Sequence, residues 1–502
     1  MSRAMEATPQ DWLAKVEDGL DDLGLLCPEL MVPVDVVSQP GARVAWINRR
    51  WFASRGVDLS DPRLRKDVDA WLIDRFAVVI PPIGGALTPS NPGRRLAHAD
   101  RYGSTSGMSP HGGSGRVVTL GRFQVKGAGA TPLVSARAPA DYSSGMMSLE
   151  EGLREAIYSE LVAQEFPGGA VPVIALIDTG LMCPDFEHEG GELPRGLLVR
   201  PAVFRAAHIE RAPLFLHARQ PDAVNQRADA ARCRVVVARW RNEHQGDGTA
   251  ALAAHFRTVA AQMAYAQVHR MSFGGYFTSN VTLDGTLLDF GNMHVFDSWN
   301  ESRVLVNAPG LGQEQAMVRK AIFSLAQFMT RFDPSRPPVD VRTIVEAFDG
   351  AYHTSFDHHL KALFGGHKGG GIPALLADDI ATIIRQAFRV QQRKRAVYKF
   401  GRIVQGAGVR TTATSKVEEG DDALLFEVVS ALMRAQPLAT PTLRQQVAET
   451  LVRTLAPRRS VDRRRLMDEL PGIIARYRTL GHKGGDVLID EVARIVGDAR
   501  RV

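Results

Sequence analysis

The chain of 502 residues is 45% hydrophobic and 23% charged, a balance typical of a globular protein with room for two to four structural units. Met1–Gly24 lacks the basic-then-apolar order of a signal peptide, and no apolar run approaches the roughly 18 residues of a membrane span, so no membrane partner is expected. Three scattered cysteines fit a reducing cytoplasm, and a net charge of +6, mild for this length, indicates no nucleic-acid partner.

The first 100 residues predict helices and loops. Helical patterns cover Asp11–Leu26, Ala42–Gly56 and Arg63–Phe76, and the composition of Pro81–Gly93 is typical of a linker. We therefore expect residues 1–100 to form an N-terminal helical extension.

A glycine- and serine-rich stretch follows, over Tyr102–Gly121. Glycines allow backbone N–H groups to turn inward around phosphate oxygens, as they do in kinase glycine-rich loops. Gly113, Gly115 and Arg116 are therefore candidates for phosphate binding. A flexible linker has a similar composition and remains the alternative.

The next two elements combine a lysine with a glutamate. Arg122–Lys126 alternates like a strand, which places Lys126 on the face opposite Phe123, and a solvent-exposed strand lysine is the alternative. Ser148 then begins a helix that is predicted to run to about Gln164 and carries Glu155. A glycine-rich loop, a strand lysine and a helical glutamate occur in this order in the N-lobe of protein kinases, where the two charged residues pair.

The middle of the chain alternates between strands and helices. Arg200 and Arg205, which follow a predicted strand, are candidate phosphate ligands, with an ordinary basic surface as the alternative. The predicted strands are Ala170–Ile177 and Leu197–Val199, and the predicted helices are Thr249–Val268, Gln313–Arg331 and Val339–Phe364.

Asp284-Gly285 separates two short β-prone runs, which is a strong hairpin signal. A two-residue turn would place Asn280 opposite Asp289, with their Cβ atoms about 4.5–5.5 Å apart. An amide oxygen and a carboxylate at that spacing can share one Mg²⁺. Asp289-Phe290-Gly291 is also the tripeptide that binds metal in protein kinases. The alternative is an ordinary hairpin that ends in a capping aspartate.

Beyond Gly365 the sequence is helical and basic. Its arginine runs are more typical of solvated helix faces than of a nucleic-acid site, since aromatic residues do not interleave with them. The runs are Arg385–Arg395, Arg458-Arg459 and Arg463–Arg465, and Gly-His-Lys-Gly-Gly occurs twice, at Gly366–Gly370 and Gly481–Gly485, as a weak internal repeat.

Taken together, these segments resemble the selenoprotein O/YdiU family of pseudokinase-like enzymes, which transfer AMP from ATP to protein hydroxyls. The similarity runs in order over about residues 40–365. The matching segments are Gly113–Arg116, Gln124–Pro132, Leu153–Glu160, Phe204–Glu210, Thr278–Asn280 and Asp289–Gly291.

This resemblance implies a kinase-like two-lobe α+β fold, with an N-lobe over 101–199, a C-lobe over 200–365 that carries the hairpin, and a helical region over 366–502. It also implies roles for individual residues. Lys126 would contact phosphates and pair with Glu155, Asn280 and Asp289 would hold Mg²⁺ or Mn²⁺, and further phosphate contacts would come from Gly113, Gly115, Arg116, Gly127, Arg200 and Arg205. ATP would lie flipped relative to a protein kinase, with its α-phosphate facing a protein or peptide acceptor.

The sequence departs from the family at the acceptor side. Ser279 stands where the family has the aspartate that is the candidate general base, and a serine hydroxyl cannot accept a proton as a carboxylate can. Ser143–Met146 replaces a second phosphate-loop motif. Both differences suggest a divergent branch with its own acceptor, such as a small peptide. Kinase-like phosphoryl transfer and a non-catalytic ATP-binding pseudokinase remain the alternatives.

Overall fold

The computed structural model describes residues 11–81, 93–103, 111–135, 138, 143–186, 190–213, 215, 222–296, 314–365 and 458–500. It confirms an α+β architecture, in which an antiparallel sheet packs against helices. Among the described helices, none has both the length and the apolarity needed to cross a bilayer. The predicted features at Arg385–Arg395 and Gly366–Gly370, and most of Pro81–Gly93, lie outside the described residues.

The main sheet has eight strands in the order β2-β7-β8-β6-β5-β4-β1-β3, and all of its neighbouring pairs are antiparallel. Its strands are β1 (Met31–Ser38), β2 (Arg43–Ile47), β3 (Val78–Val79), β4 (Arg94–Asp100), β5 (Val117–Leu120), β6 (Phe123–Lys126), β7 (Ala175–Pro184) and β8 (Glu192–Pro201). A two-stranded sheet pairs β9 (Met271–Ser272) with β10 (His294–Val295).

Eleven α-helices lie in the described ranges. They are α1 (Asp11–Glu17), α2 (Leu23–Leu26), α3 (Arg49–Ser54), α4 (Pro62–Phe76), α5 (Leu149–Glu165), α6 (Asp222–Glu243), α7 (Gly248–Val268), α8 (Gln315–Phe332), α9 (Val341–Gly365), α10 (Arg463–Leu480) and α11 (Gly485–Ala499). The predicted helices that correspond to α4, α5, α7, α8 and α9 are confirmed within a few residues, whereas α6 was not predicted.

The prediction that residues 1–100 are helices and loops is wrong. This part of the chain supplies four of the eight strands, β1 to β4. The predicted helix Ala42–Gly56 is instead β2 followed by the short helix α3, because Asn48 accepts a hydrogen bond from the backbone N–H of Trp51 at 2.9 Å and begins the helix there. The sheet thus extends across the predicted boundary at residue 100.

The predicted helix Asp11–Leu26 is also wrong as a single element. It is broken into α1 and α2, and Gly19 lies between them with a positive φ of 66°. Asp22 caps the second piece by accepting a hydrogen bond from the backbone N–H of Leu25 at 3.1 Å. The helical periodicity is therefore real, but a glycine conformation that a right-handed helix does not contain interrupts it.

The predicted strand Ala170–Ile177 begins later than expected, because β7 starts at Ala175. The residues before it pair with a different partner. Ala170 forms a parallel bridge with Leu287, and the backbone N–H of Val171 donates to the carbonyl of Leu287 at 2.8 Å. This short segment ties the sheet to the 280–289 hairpin.

The C-terminal helices pack on α5 and on the 280–289 hairpin. Arg458 donates to Glu165, at the end of α5, at 2.7 Å, and Tyr158 of the same helix donates its hydroxyl to the carbonyl of Val461 at 3.0 Å. Arg463 donates to the carbonyl of Gly291, which lies two residues after Asp289. Residues 458–500 therefore brace the two segments that carry Glu155 and Asp289.

Candidate functional site

The hairpin forms, but its register differs from the prediction. Val281 is bridged to Leu287, and the backbone N–H of Leu288 donates to the carbonyl of Asn280 at 3.0 Å. The loop contains three residues rather than two, and its last residue, Gly285, has a positive φ of 89°. The predicted pairing of Asn280 with Asp289 is therefore wrong, because Asn280 faces Leu288.

Asp289 nevertheless reaches the charged cluster around Lys126, through its own backbone. It adopts the left-handed conformation, with φ of 66° and ψ of 75°, which is uncommon for a residue other than glycine. This turn directs its carboxylate to the ammonium group of Lys126, with which it forms an ion pair. The strained position is held because Phe290, the next residue, is buried against Phe273.

Lys126 also pairs with Glu155, as the sequence suggested. The ammonium nitrogen lies 2.5 Å from the carboxylate, and both side chains are 2% exposed. Burial alone would lower the pKa of Lys126, but the charges of Asp289 and Glu155 raise it above its ordinary value. Lys126 is therefore a fixed positive charge between two carboxylates.

Arg200 is the least satisfied cation of this cluster. Its Nε donates to Gln124 at 3.3 Å, but both terminal nitrogens are buried without a hydrogen-bond partner. One of them lies 3.7 Å from Glu155 and 3.9 Å from Asp289, which is ion-pair distance without a hydrogen bond. Buried donors without acceptors are costly, so the position suits an anion that accepts from both nitrogens.

Arg205 lies next to Arg200 and connects the sheet to the hairpin. It donates to the carbonyl of Ser279 at 2.8 Å, and its guanidinium lies over the ring of Tyr102, 5.1 Å from the ring centre. Because Ser279 precedes Asn280, this contact holds Asn280, a candidate metal ligand, close to Arg205.

Arg116 is held by a residue that the sequence did not single out. It donates to Glu151 at 2.6 and 3.2 Å, and Lys126 lies 3.9 Å from the same carboxylate. Burial would raise the pKa of Glu151, but Arg116 and Lys126 lower it to about 2, so this residue is ionised. Glu151 lies in the capping segment of α5, which was the only sequence signal for it.

Two of the three predicted glycines have structural reasons of their own. A Cβ on Gly113 would overlap the carbonyl oxygen of Asp100, and one on Gly127 would lie 2.8 Å from that of Gly196. Gly113 and Gly127 therefore allow close backbone contact. Gly115 accepts a hydrogen bond from the backbone N–H of Thr131 at 3.0 Å, which any residue could do. Phosphate binding by the N–H groups of these glycines stays a prediction.

Asn280 and Asp289 are the candidate metal ligands. Asn280 is half-buried, and its side-chain oxygen accepts a weak hydrogen bond from Ser279 at 3.3 Å. In the described ranges there is no cluster of three or more His, Cys, Asp or Glu residues that could hold a metal. One carboxylate and one amide oxygen are too few for a bare metal site but fit Mg²⁺ that takes its remaining ligands from phosphates and water.

Three further buried residues, which the sequence did not single out, complete the site. Gln124 lies between Arg200 and Arg205, Asp100 contacts Gln124, and His208 contacts Asp100. The strand alternation that placed Lys126 in the cleft places Gln124 on the same face, and could have identified it. Asp100 and His208 carry no comparable signal, since their contact joins residues 108 positions apart.

Comparison with known proteins supports a distant relationship to one family. No protein-family model matches the chain. The chain is 28% identical over 354 residues to a protein nucleotidyltransferase YdiU of Jannaschia sp. (strain CCS1), and the match covers 66% of this chain. It spans 65% of the length of that relative. This is a distant similarity to the YdiU/selenoprotein O family, consistent with the motifs found in the sequence.

Proposed function

We propose that the chain is a nucleotidyltransferase that moves AMP from ATP, with Mg²⁺ or Mn²⁺, to a hydroxyl group of a protein or peptide. The observation that carries this proposal is the buried cluster of Lys126, Glu155, Asp289 and Arg200, in which the terminal nitrogens of Arg200 have no hydrogen-bond acceptor. Phosphate oxygens would supply those acceptors. The distant relative named as a protein nucleotidyltransferase supports the reaction class.

In this proposal the cations stabilise charge on the phosphates. Lys126, Arg116, Arg200 and Arg205 come from different strands and loops but lie in one cluster. Carboxylates hold Lys126 and Arg116 and lie at ion-pair distance from Arg200, and Gln124 and the carbonyl of Ser279 hold Arg205, before ATP arrives. Preorganised charges of this kind are usually the largest contribution to the catalysis of phosphoryl-type transfer.

Asn280 and Asp289 would hold the metal ion together with the nucleotide. When bound, Mg²⁺ would neutralise charge between the phosphates. Asp289 would then have to exchange its contact with Lys126 for one with the metal, which leaves the ammonium of Lys126 to Glu155 and the phosphates. The Lys126–Asp289 ion pair thus keeps both groups in place until the nucleotide arrives.

The finer architecture is also part of the proposal. The sheet with Lys126 and α5 with Glu155 would correspond to a kinase-like N-lobe over 101–199, extended by the strands of residues 31–100. The helices and hairpin of residues 200–365 would form the C-lobe, and residues 366–502 a C-terminal region of which 458–500 braces both.

The acceptor side lacks the family's candidate base. Ser279 has no carboxylate, so the acceptor hydroxyl, on attacking the α-phosphate, would lose its proton to solvent or to the departing pyrophosphate rather than to this residue. General-base assistance is typically worth about 10²–10⁴ in rate. We therefore expect slow transfer with a generic acceptor.

The test is incubation of the purified chain with Mg²⁺ or Mn²⁺ and ATP labelled on the α- or the γ-phosphate, followed by intact mass. The added mass of AMP with retention of the α-label is expected, because Arg200 and Lys126 bind the phosphates. Lys126→Met should abolish it, whereas the matched control Lys320→Met, at an exposed lysine of α8, should not.

Two other results would change the conclusion. A gain of phosphate with the γ-label would make the protein a kinase. A rise in melting temperature with ATP but no label on chain or added peptides would favour a non-catalytic nucleotide-binding protein.

A further inference from the structure

Two buried arginines share one neutral acceptor in the cleft. Gln124 of β6 lies opposite Arg200 of β8 in the sheet register, and its side-chain oxygen accepts from Arg200 at 3.3 Å and from Arg205 at 3.4 Å. Gln124 is 0% exposed and both arginines are 1% exposed. The glutamine oxygen is thus the atom at which the two guanidinium groups meet.

The orientation of this glutamine is fixed from the other side. Its amide nitrogen donates to Asp100 at 3.3 Å, and an ionised carboxylate can only accept hydrogen bonds. Burial would raise the pKa of Asp100, but hydrogen bonding to His208 and the charge of Arg205 lower it well below its ordinary value. Asp100 is therefore ionised, and the oxygen of Gln124 must point at the arginines.

His208 completes the support and links it back to Arg205. Its Nδ1 accepts from the backbone N–H of Arg205 at 2.9 Å, so Nε2 carries the proton and donates to Asp100 at 3.0 Å. Burial lowers the pKa of His208, which keeps the ring neutral, as this arrangement requires. Asp100, His208 and Gln124 thus hold Arg205 at both its backbone and its side chain.

The arrangement matters because the positive charges of Arg200 and Arg205 lie close together in a buried position. Burial and the charge of Arg205 lower the pKa of Arg200. Without Gln124 the two groups would have no common acceptor and would separate, or turn toward Glu155 and Asp289. The spacing of the two guanidinium groups would then no longer be set before the nucleotide binds.

We propose that Gln124, oriented by Asp100 and His208, is a positioning residue that sets Arg200 and Arg205 for the phosphate chain of the nucleotide. This inference rests on the proposed function, because it assumes that a nucleotide occupies the cleft. The inference adds that the affinity for the phosphates of the nucleotide depends on Gln124, a neutral side chain that contacts both arginines. The affinity for the nucleoside does not depend on it.

A buried glutamine could instead serve only the stability of the sheet, and the number of phosphates distinguishes the two roles. A positioning role predicts that the loss on substitution grows from adenosine to ADP to ATP. A purely structural role predicts equal losses for all three, or none once the variant is folded.

The experiment is calorimetric titration of the full chain with Mg²⁺-ATP, Mg²⁺-ADP and adenosine. Gln124→Met keeps the size of the side chain and removes both hydrogen bonds to arginine. Since a hydrogen bond to a charged group contributes about 1.5–3 kcal/mol, ATP should bind roughly ten- to a hundredfold more weakly, while adenosine should be unchanged. The matched control is Gln267→Met, at a glutamine of α7 that is equally buried and is hydrogen-bonded to Tyr352.

A second variant keeps the inference testable if methionine at position 124 prevents folding. Asp100→Asn has the same size, but its amide nitrogen would face Nε2 of His208. His208 would then have to carry its proton on Nδ1, where it would meet the backbone N–H of Arg205 donor to donor. The same dependence on phosphate number is expected, with a smaller loss for ATP.

The outcomes separate the two proposals. If the wild type binds no nucleotide, the proposed function and this inference both fail. If the wild type binds ATP, and folded Gln124→Met or Asp100→Asn binds it equally well or loses adenosine affinity to the same extent, this inference alone is overturned.

Discussion

The two sides of the proposed site are built differently. On the proposed nucleotide side, Lys126, Glu155 and Arg200 are almost fully buried and are paired or aligned with opposite charges. On the proposed acceptor side, Ser279 is half-buried and offers a hydroxyl. In the proposed function, the groups that stabilise phosphate charge would be prepared in advance, whereas a group that removes the acceptor's proton would not.

The two sides also differ in their response to pH. On the nucleotide side, neighbouring cations lower the pKa of Glu151 to about 2, against the effect of burial. Behind the acceptor side, Glu210 accepts hydrogen bonds from Thr278, the residue before Ser279, and from Ser324, the latter at 2.5 Å. Burial raises the pKa of Glu210 to about 7, against the lowering effect of its two hydrogen bonds and of the charge of Arg232. Near neutral pH, Glu210 therefore changes its charge whereas Glu151 does not, and burial raises the pKa of Glu155 as well.

The largest effect is expected on the nucleotide side. Asp289→Asn removes the only carboxylate among the two candidate metal ligands and should lower transfer by about 10²–10³ or more, a loss typical for one preorganised electrostatic group. Radiolabel transfer from α-labelled ATP measures it. Asp284→Asn, at the exposed tip of the same hairpin, is the matched control and should retain activity. Unchanged transfer by a folded Asp289→Asn protein would contradict the site assignment.

An intermediate effect is expected on the acceptor side, in the opposite direction. Ser279→Asp supplies the missing carboxylate and should raise the transfer rate by about 10- to 100-fold, within the usual range for a general base. Ser279→Asn has the same shape without the charge and should have no such effect. Equal rates for the aspartate and asparagine variants would place proton removal elsewhere.

The smallest effect on the transfer rate is expected for Glu210, which lies behind the acceptor side. Substitution of Glu210 should change the stability of the protein instead. The folded-state pKa of Glu210, about 7, lies above its ordinary value of 4.5, so the folded protein binds a proton more tightly than the unfolded chain. Stability should therefore fall as the pH rises from about 4.5 to about 7, by roughly 1–3 kcal/mol for this group.

Urea unfolding between pH 5 and 8 measures this loss. Glu210→Gln should flatten the profile and change the transfer rate less than either variant described above. Glu314 is also buried with a pKa raised to about 7, so Glu314→Gln is a matched control that flattens the profile without contacting Thr278. A profile that keeps its full slope in Glu210→Gln would show that Glu210 is already ionised in the folded protein at low pH.

Local patterns were enough to predict the residues that lie on regular elements. Strand alternation placed Lys126 opposite the apolar face, and helix periodicity placed Glu155 on α5, whereas their pairing was expected from the order of a kinase N-lobe and from the family resemblance. Asp289 was selected as part of a tripeptide, but its direct contact with Lys126 joins residues 163 positions apart and follows from a left-handed backbone conformation that no local pattern indicates.

The errors have the same origin. The hairpin register was wrong because Asp284-Gly285 is compatible with loops of two or three residues, and only the contacts of Leu287 with Ala170 and Val171 select the longer one. The strands among residues 31–100 were missed because their partners are not adjacent in the sequence: β2 pairs with β7, more than 125 positions away, and β1 pairs with β4, about 57–69 positions away. Tertiary pairing overrides local propensity at such places.

The bracing by residues 458–500 has a consequence for the order of events during synthesis. The contact of Arg463 with Gly291 spans 172 positions, so ribosomes that add about 5–20 residues per second would expose the hairpin some 9 to 34 s before its brace exists. During that interval the lysine–glutamate pair and the hairpin could already be joined by the Lys126–Asp289 and Ala170–Leu287 contacts, but the contact of Arg463 with Gly291 would be missing. The Arg463–Gly291 contact would thus be among the last around the proposed site to form, once residues 458–500 have been synthesised.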